Sequence, residues 1–119
     1  MTQQDFNDHI ELWNRTAALS RLAGNENLLD RIVQMYLDQV EQKQMDLRSA
    51  IEAKNVEAIR FHSHSMKGVS GDVGADAVKQ KSADIENLAK QNQLDTISHQ
   101  MTQLDDLIAA TTQVMQGER

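Results

Sequence analysis

The chain has 119 residues, the length of one domain, and its 39% hydrophobic and 25% charged residues support a compact core rather than wholesale disorder. Twelve Lys and Arg against eighteen Asp and Glu leave a formal charge of -6, which argues against a nucleic-acid binder; the absence of cysteine excludes disulfides, thiolate metal sites and cysteine nucleophiles. No apolar run approaches the ~20 residues of a membrane span and residues 1–5 do not resemble a signal peptide, so a cytoplasmic protein without direct membrane contact is expected.

Phe6, Ile10, Trp13 and Ala17 place an apolar stripe on a first helix, near 5–22. Gly24 and Asn25 end it and offer an N-cap to a second helix, near 26–53. Its stripe is Leu29, Ile32, Val33, Tyr36, Val40, Leu47 and Ile51, interrupted where Gln44 sits. Asn55 caps a third helix, near 56–71, and the stretch from Gly71 to Gly74 breaks the pattern before a fourth, near 75–91. Asn92 to Asp95 opens a fifth, near 95–116, along which Ile97, Met101, Leu104, Ile108, Thr111 and Met115 alternate steps of four and three. No stretch alternates with period two, and zero prolines with five glycines leave little material for β-turns. The chain reads as all-α. Short links between long amphipathic helices favour antiparallel neighbours, hence an up-down four-helix bundle with the first helix as a lid, in a single domain spanning 1–119.

The segment from Phe61 to Ala75 carries the chemistry. Each helical residue advances about 100°, so Glu57, Arg60, Lys67, Gly68 and Gly71 fall within roughly 60° of His64. Ile59, His62, Met66, Val69 and Val73 fall on the opposite side, with Ser63 and Ser70 at its edge. His64 therefore faces water between a cation and two glycines. An interior glycine costs about 1 kcal/mol relative to alanine. Gly68, one turn after His64, leaves a flat approach through which another protein reaches the ring. Lys67, at i+3, can place its ammonium beside the same ring. An exposed imidazole is a nucleophile near neutral pH, and a nearby ammonium balances phosphoryl oxygens. Spacing alone leaves two readings open, a phosphoryl-accepting histidine and an ordinary exposed one.

His64-Ser65-Met66-Lys67-Gly68, followed by Gly74-Ala75, resembles the H-x-x-K-G…G-A signature of histidine-containing phosphotransfer (HPt) domains. Leu22 to Asn25 resembles that family's turn before its long second helix, and Val78, Ser82, Ile85 and Glu86 are similar to its later pattern. The resemblance implies a phosphocarrier in a two-component phosphorelay, which accepts a phosphoryl group from a receiver-domain aspartate and passes it to another receiver. It implies His64 as the phosphorylated residue, Lys67 as the cation beside the phosphate, and Glu86 as the acceptor from the other ring nitrogen. Gly68 would admit the receiver, with Arg60 and Gly71 on the same docking face; for Arg60 a solvated surface residue is an equal alternative. Val69 and His62 depart from the family's usual residues at their positions, away from the reacting face. The expected partners are response-regulator receiver domains; two arrangements stay open, a free-standing carrier and a C-terminal segment of a hybrid sensor kinase, whose remainder would then be a further partner. The chain is expected to be monomeric and to hold no cofactor, with Mg²⁺ on the receiver.

Three rivals come from other classes. His62 and His64 cannot chelate a metal from one helix, because residues two apart point about 200° apart. Neither Ser65 nor Ser70 lies in a glycine-flanked elbow of the hydrolase kind. A helical adaptor without covalent chemistry explains the apolar stripes but not His64, Lys67 and the glycines on one polar face. Nothing resembles an ATP-binding motif, so the chain is not a complete enzyme on its own.

Overall fold

A computed structural model describes residues 11–117, and among them are five α-helices and no strand. They are α1 (Arg15–Arg21), α2 (Glu26–Glu52), α3 (Val56–Val73), α4 (Asp76–Lys90) and α5 (Ile97–Gly117). Asparagines start the first three. The Asn14, Asn25 and Asn55 side chains accept from the amides of Ala17, Leu28 and Ala58, each satisfying one orphan donor of a first turn.

The ends of α1, α2, α3 and α4 share one geometry. The amides of Gly24, Asn55, Ala75 and Gln93 reach back five residues to the carbonyls of Leu19, Ala50, Ser70 and Leu88. The residue before each of those amides, Ala23, Lys54, Gly74 and Asn92, takes positive φ. These are Schellman caps. Only at α3 is the left-handed residue a glycine, and there it is required twice over. Besides φ +82°, a Cβ on Gly74 would stand 2.6 Å from the Asn14 carbonyl oxygen.

That contact explains a correction to the first helix. Residues 11–14 are not helical, and the stripe's Phe6 and Ile10 lie outside the described residues. The 11–14 backbone is committed elsewhere: the Asn14 amide donates to the Gly74 carbonyl at 2.7 Å, and the Glu11 carbonyl accepts from the Ala77 amide at 3.0 Å. The second bond matters because Ala75, at the start of α4, supplies no side-chain cap. Trp13 packs against the core from this strap and donates its indole N–H to the Val73 carbonyl at 2.9 Å. The third helix also runs past Gly71 to Val73, and the last begins two residues later than its polar opening suggests.

α2 packs against α3 and α5, α3 against α4, and α4 against α5, while α1 touches α2 and α3. Their shared core includes Leu29, Leu47, Ile59, Met66, Ile85, Leu104 and Met115, all essentially inaccessible to water. Each such side chain contributes about 1.5–3 kcal/mol by burial. The gap at Gln44 has a purpose in packing: its amide donates to Asp105 on α5, which also pairs with Arg48.

On α3 the buried stripe is Ile59, Ser63, Met66, Ser70 and Val73, so both serines lie at its centre rather than its edge. His62 and Val69 are only half-buried. The small serine side chains let neighbouring helices approach, and their hydroxyls are satisfied there. Ser63 donates to the Ile59 carbonyl at 2.6 Å, and Ser70 shares a 2.9 Å hydrogen bond with Tyr36 from α2. Among the described residues no helix is long and apolar enough to cross a membrane.

Candidate functional site

His64 sits mid-way along α3 with its side chain 68% exposed, on the face opposite Met66. α4 runs alongside and presents Glu86, whose side chain is only 8% exposed. Glu86 Oε2 lies 3.0 Å from His64 Nδ1. Its other oxygen, Oε1, accepts from Lys67 Nζ at 2.8 Å. Lys90, one turn further along α4, brings its ammonium within 3.7 Å of Oε2. A single buried carboxylate thus gathers the imidazole and two lysines.

Burial alone would raise the Glu86 carboxyl pKa. Hydrogen bonds from Lys67 and His64, with the charges of Lys67 and Lys90, outweigh that penalty and hold it below the ordinary carboxylate value. Glu86 is therefore ionised at neutral pH and can only accept. It follows that His64 Nδ1 carries the proton in this contact, so that in the neutral ring the lone pair is the one on Nε2.

The surroundings of the ring are open. A shallow groove beside it is lined by Glu57, Arg60, Phe61, Ser65 and Glu86. Nothing lies within 4 Å of where a Cβ on Gly68 would stand, so the space over the helix at that position is solvent. Arg60 is exposed within the groove. Gly71 does not line it. Its missing side chain instead makes room for Lys79 of α4, whose Cδ would be 3.3 Å from a Cβ, and its carbonyl accepts from Arg21 at 2.9 Å. Gly71 thus marks the close packing of α1, α3 and α4 beside the groove. A larger cavity, about 830 Å³, lies between Lys54 and residues 92–98, but its lining is exposed apart from half-buried Leu94 and holds no histidine. The imidazole on the convex face of α3 is open to solvent without such a cavity.

Residues 31–114 match the family model described as Hpt domain. The chain belongs to the Hpt domain family. This Hpt domain is also similar to the phosphorelay intermediate protein rdeA of Dictyostelium discoideum, with 31% identity over 72 residues. That match covers 60% of the chain and 28% of the relative's length. The crystal structure of histidine-containing phosphotransfer protein B (HptB) from Pseudomonas aeruginosa PAO1 superposes with a TM-score of 0.76 at 24% identity, over 90% of this chain and 93% of that one. At that identity the likeness is one of fold.

Two lysines of the site escape a reading of the His64 segment. Lys90 has a signal once Glu86 is chosen, because Glu86 and Lys90 are four apart on one helix. Lys43 of α2, which donates to the Ser65 hydroxyl, has none, since only the folding of α2 onto α3 brings it there.

Proposed function

We propose that this Hpt domain is a phosphocarrier: His64 Nε2 accepts a phosphoryl group from a receiver-domain aspartate and passes it to another receiver. One observation carries the proposal, the 3.0 Å contact of Nδ1 with a buried, ionised Glu86 on an otherwise exposed ring. The Nε2 lone pair attacks phosphorus, an N–P bond forms, the acyl P–O bond breaks, and the aspartate leaves as its carboxylate. No proton changes hands. The proton on Nδ1 stays there, and the positive charge that develops on the ring is met by Glu86, much as a buried aspartate steadies the histidine of a catalytic triad.

Phosphoryl transfer passes through a loose transition state, so positioning and charge placement do most of the work. Lys67, beside the ring and held by Glu86, can turn toward phosphoryl oxygens when they arrive. Gly68 leaves the approach clear. The receiver supplies the aspartate and its Mg²⁺, so the domain is a transfer intermediate rather than a complete enzyme. An antiparallel four-helix bundle of α2 to α5 with α1 as lid fits the helix contacts and the fold likeness. The same reading makes the carrier a cytoplasmic monomer, free-standing or part of a hybrid sensor kinase.

Incubation with phosphorylated receivers, followed by intact mass, tests the proposal. An acid-labile gain of one phosphoryl group is expected, absent in His64→Gln and retained in His62→Gln. Retention of label in His64→Gln, or its loss from folded His62→Gln, would overturn the assignment.

A further inference from the structure

On the α2 side of the site, Lys43 donates to the Ser65 hydroxyl at 2.9 Å. Ser65 follows His64 directly and lines the same groove. The lysines of the site differ in what they rest on. Lys67 and Lys90 both lean on the Glu86 carboxylate, so much of their charge is already met inside the domain. Lys43 rests on a neutral hydroxyl, and among the described residues no carboxylate lies within ion-pair distance of it.

An anion arriving beside His64 therefore meets two kinds of lysine. Recruiting Lys67 means weakening an existing ion pair. Recruiting Lys43 means exchanging a neutral acceptor for a charged one, which is favourable. Lysine side chains lose considerable rotamer freedom on binding, and the bond to Ser65 has already restricted this one close to the groove. Lys43 is also partly buried, so its stem is packed while its head is tethered.

We propose that Lys43, positioned by Ser65, is a docking cation that donates to a carboxylate on the acidic rim of the receiver's phosphorylation pocket during transfer. The proposal rests on the carrier reading above and extends the contact surface from the α3–α4 flank of His64 onto α2. It assigns Lys43 no bond-making step.

Two phosphodonors separate docking from chemistry. Phosphoramidate is small and requires no docking surface, so it reads the imidazole alone. A receiver domain charged on its aspartate with acetyl phosphate, chosen as the fastest donor to the parent protein, reads docking and chemistry together. For Lys43→Met the ratio of the receiver rate to the phosphoramidate rate should fall about three- to thirtyfold, with a shallower salt dependence. Lys43→Arg should restore most of the ratio, and Ser65→Ala should lower it less, because the cation survives without its tether. An unchanged ratio in folded Lys43→Met overturns the proposal. So does an equal fall with both donors, since Lys43 would then act on the fold or the ring and not on the receiver. A parent protein that phosphoramidate cannot label overturns the carrier reading itself, which the other two outcomes leave standing.

Discussion

Glu86 is the residue on which the site's charge depends. Its lowered pKa means that ionisation favours the folded protein: the contribution is present at neutral pH and is lost as pH falls from the ordinary value of 4.5 through the lower folded value. Glu86→Gln should accordingly flatten the acid limb of a stability profile measured by urea unfolding between pH 3 and 7. The amide oxygen can still accept from Nδ1, so transfer should slow less in Glu86→Gln than in Glu86→Ala, compared across pH 6 to 8. Equal rates for the parent and Glu86→Ala would make the carboxylate a bystander. At Gly68 the expectation is opposite in kind. Leucine meets nothing within 4 Å at its Cβ and is a better helix former, so Gly68→Leu should melt no lower than the parent. Its side chain would occupy the approach to His64, and transfer from a receiver should slow at least severalfold. His64, Lys67 and Gly68 were legible because they lie within five consecutive residues of one helix. Glu86 was reachable only through the family resemblance, and its burial was not legible at all.

At the scale of helices, the caps make the sharpest forecasts. Ala23 and Lys54 hold φ of 56° and 54°, a region where a Cβ costs about 1 kcal/mol or more. Glycine there removes the strain but loosens the unfolded chain, so Lys54→Gly should stabilise by roughly 0.5 kcal/mol, read as a small rise in Tm. Gly74→Ala should do the reverse, by about 2 kcal/mol or more, because the new Cβ meets backbone oxygen at 2.6 Å as well as the left-handed penalty. A Gly74→Ala protein that melts with the parent would remove the strap as a fixed element. The asparagine caps and the apolar periodicity made the helices visible in the sequence. The start of the first was not, since Trp13 fits a helical stripe equally well and its actual partners, Val73 and the turn beside it, lie 60 residues away.

Across the whole molecule, α2 and α3 are joined through the interior by Tyr36 and Ser70. Burial is the main cause of the rise in the Tyr36 phenol to about 12, from an ordinary 10.0. Stability is then complete below pH 10 and falls as pH rises toward 12, by about 3 kcal/mol in order of magnitude. Tyr36→Phe should abolish most of that alkaline loss while costing about 1 kcal/mol at pH 7 for the hydrogen bond left unmade on Ser70. Chemical unfolding at pH 7, 10 and 11.5 distinguishes the two effects. Serines at the centre of a core are hard to see in advance, because hydropathy counts the hydroxyl and not the tyrosine waiting for it. The fold class was nevertheless plain from the spacing of Leu, Ile, Val and Met.

Asn55 closes the cap of α2 with its amide and opens α3 with its side chain, so the two helices are geared together with no slack tooth between them. The compass bearing of His64 is therefore inherited from α2. One residue inserted just after Asn55 would turn α3 by about 100° unless the helix pays out the difference elsewhere. Ser70 and its Tyr36 partner would fall out of phase while every side chain remained present. The same insertion between Gln93 and Asp95 lies beyond both members of the pair and should leave their engagement intact. A carrier of this design can lengthen its far loop freely, but its near turn keeps time.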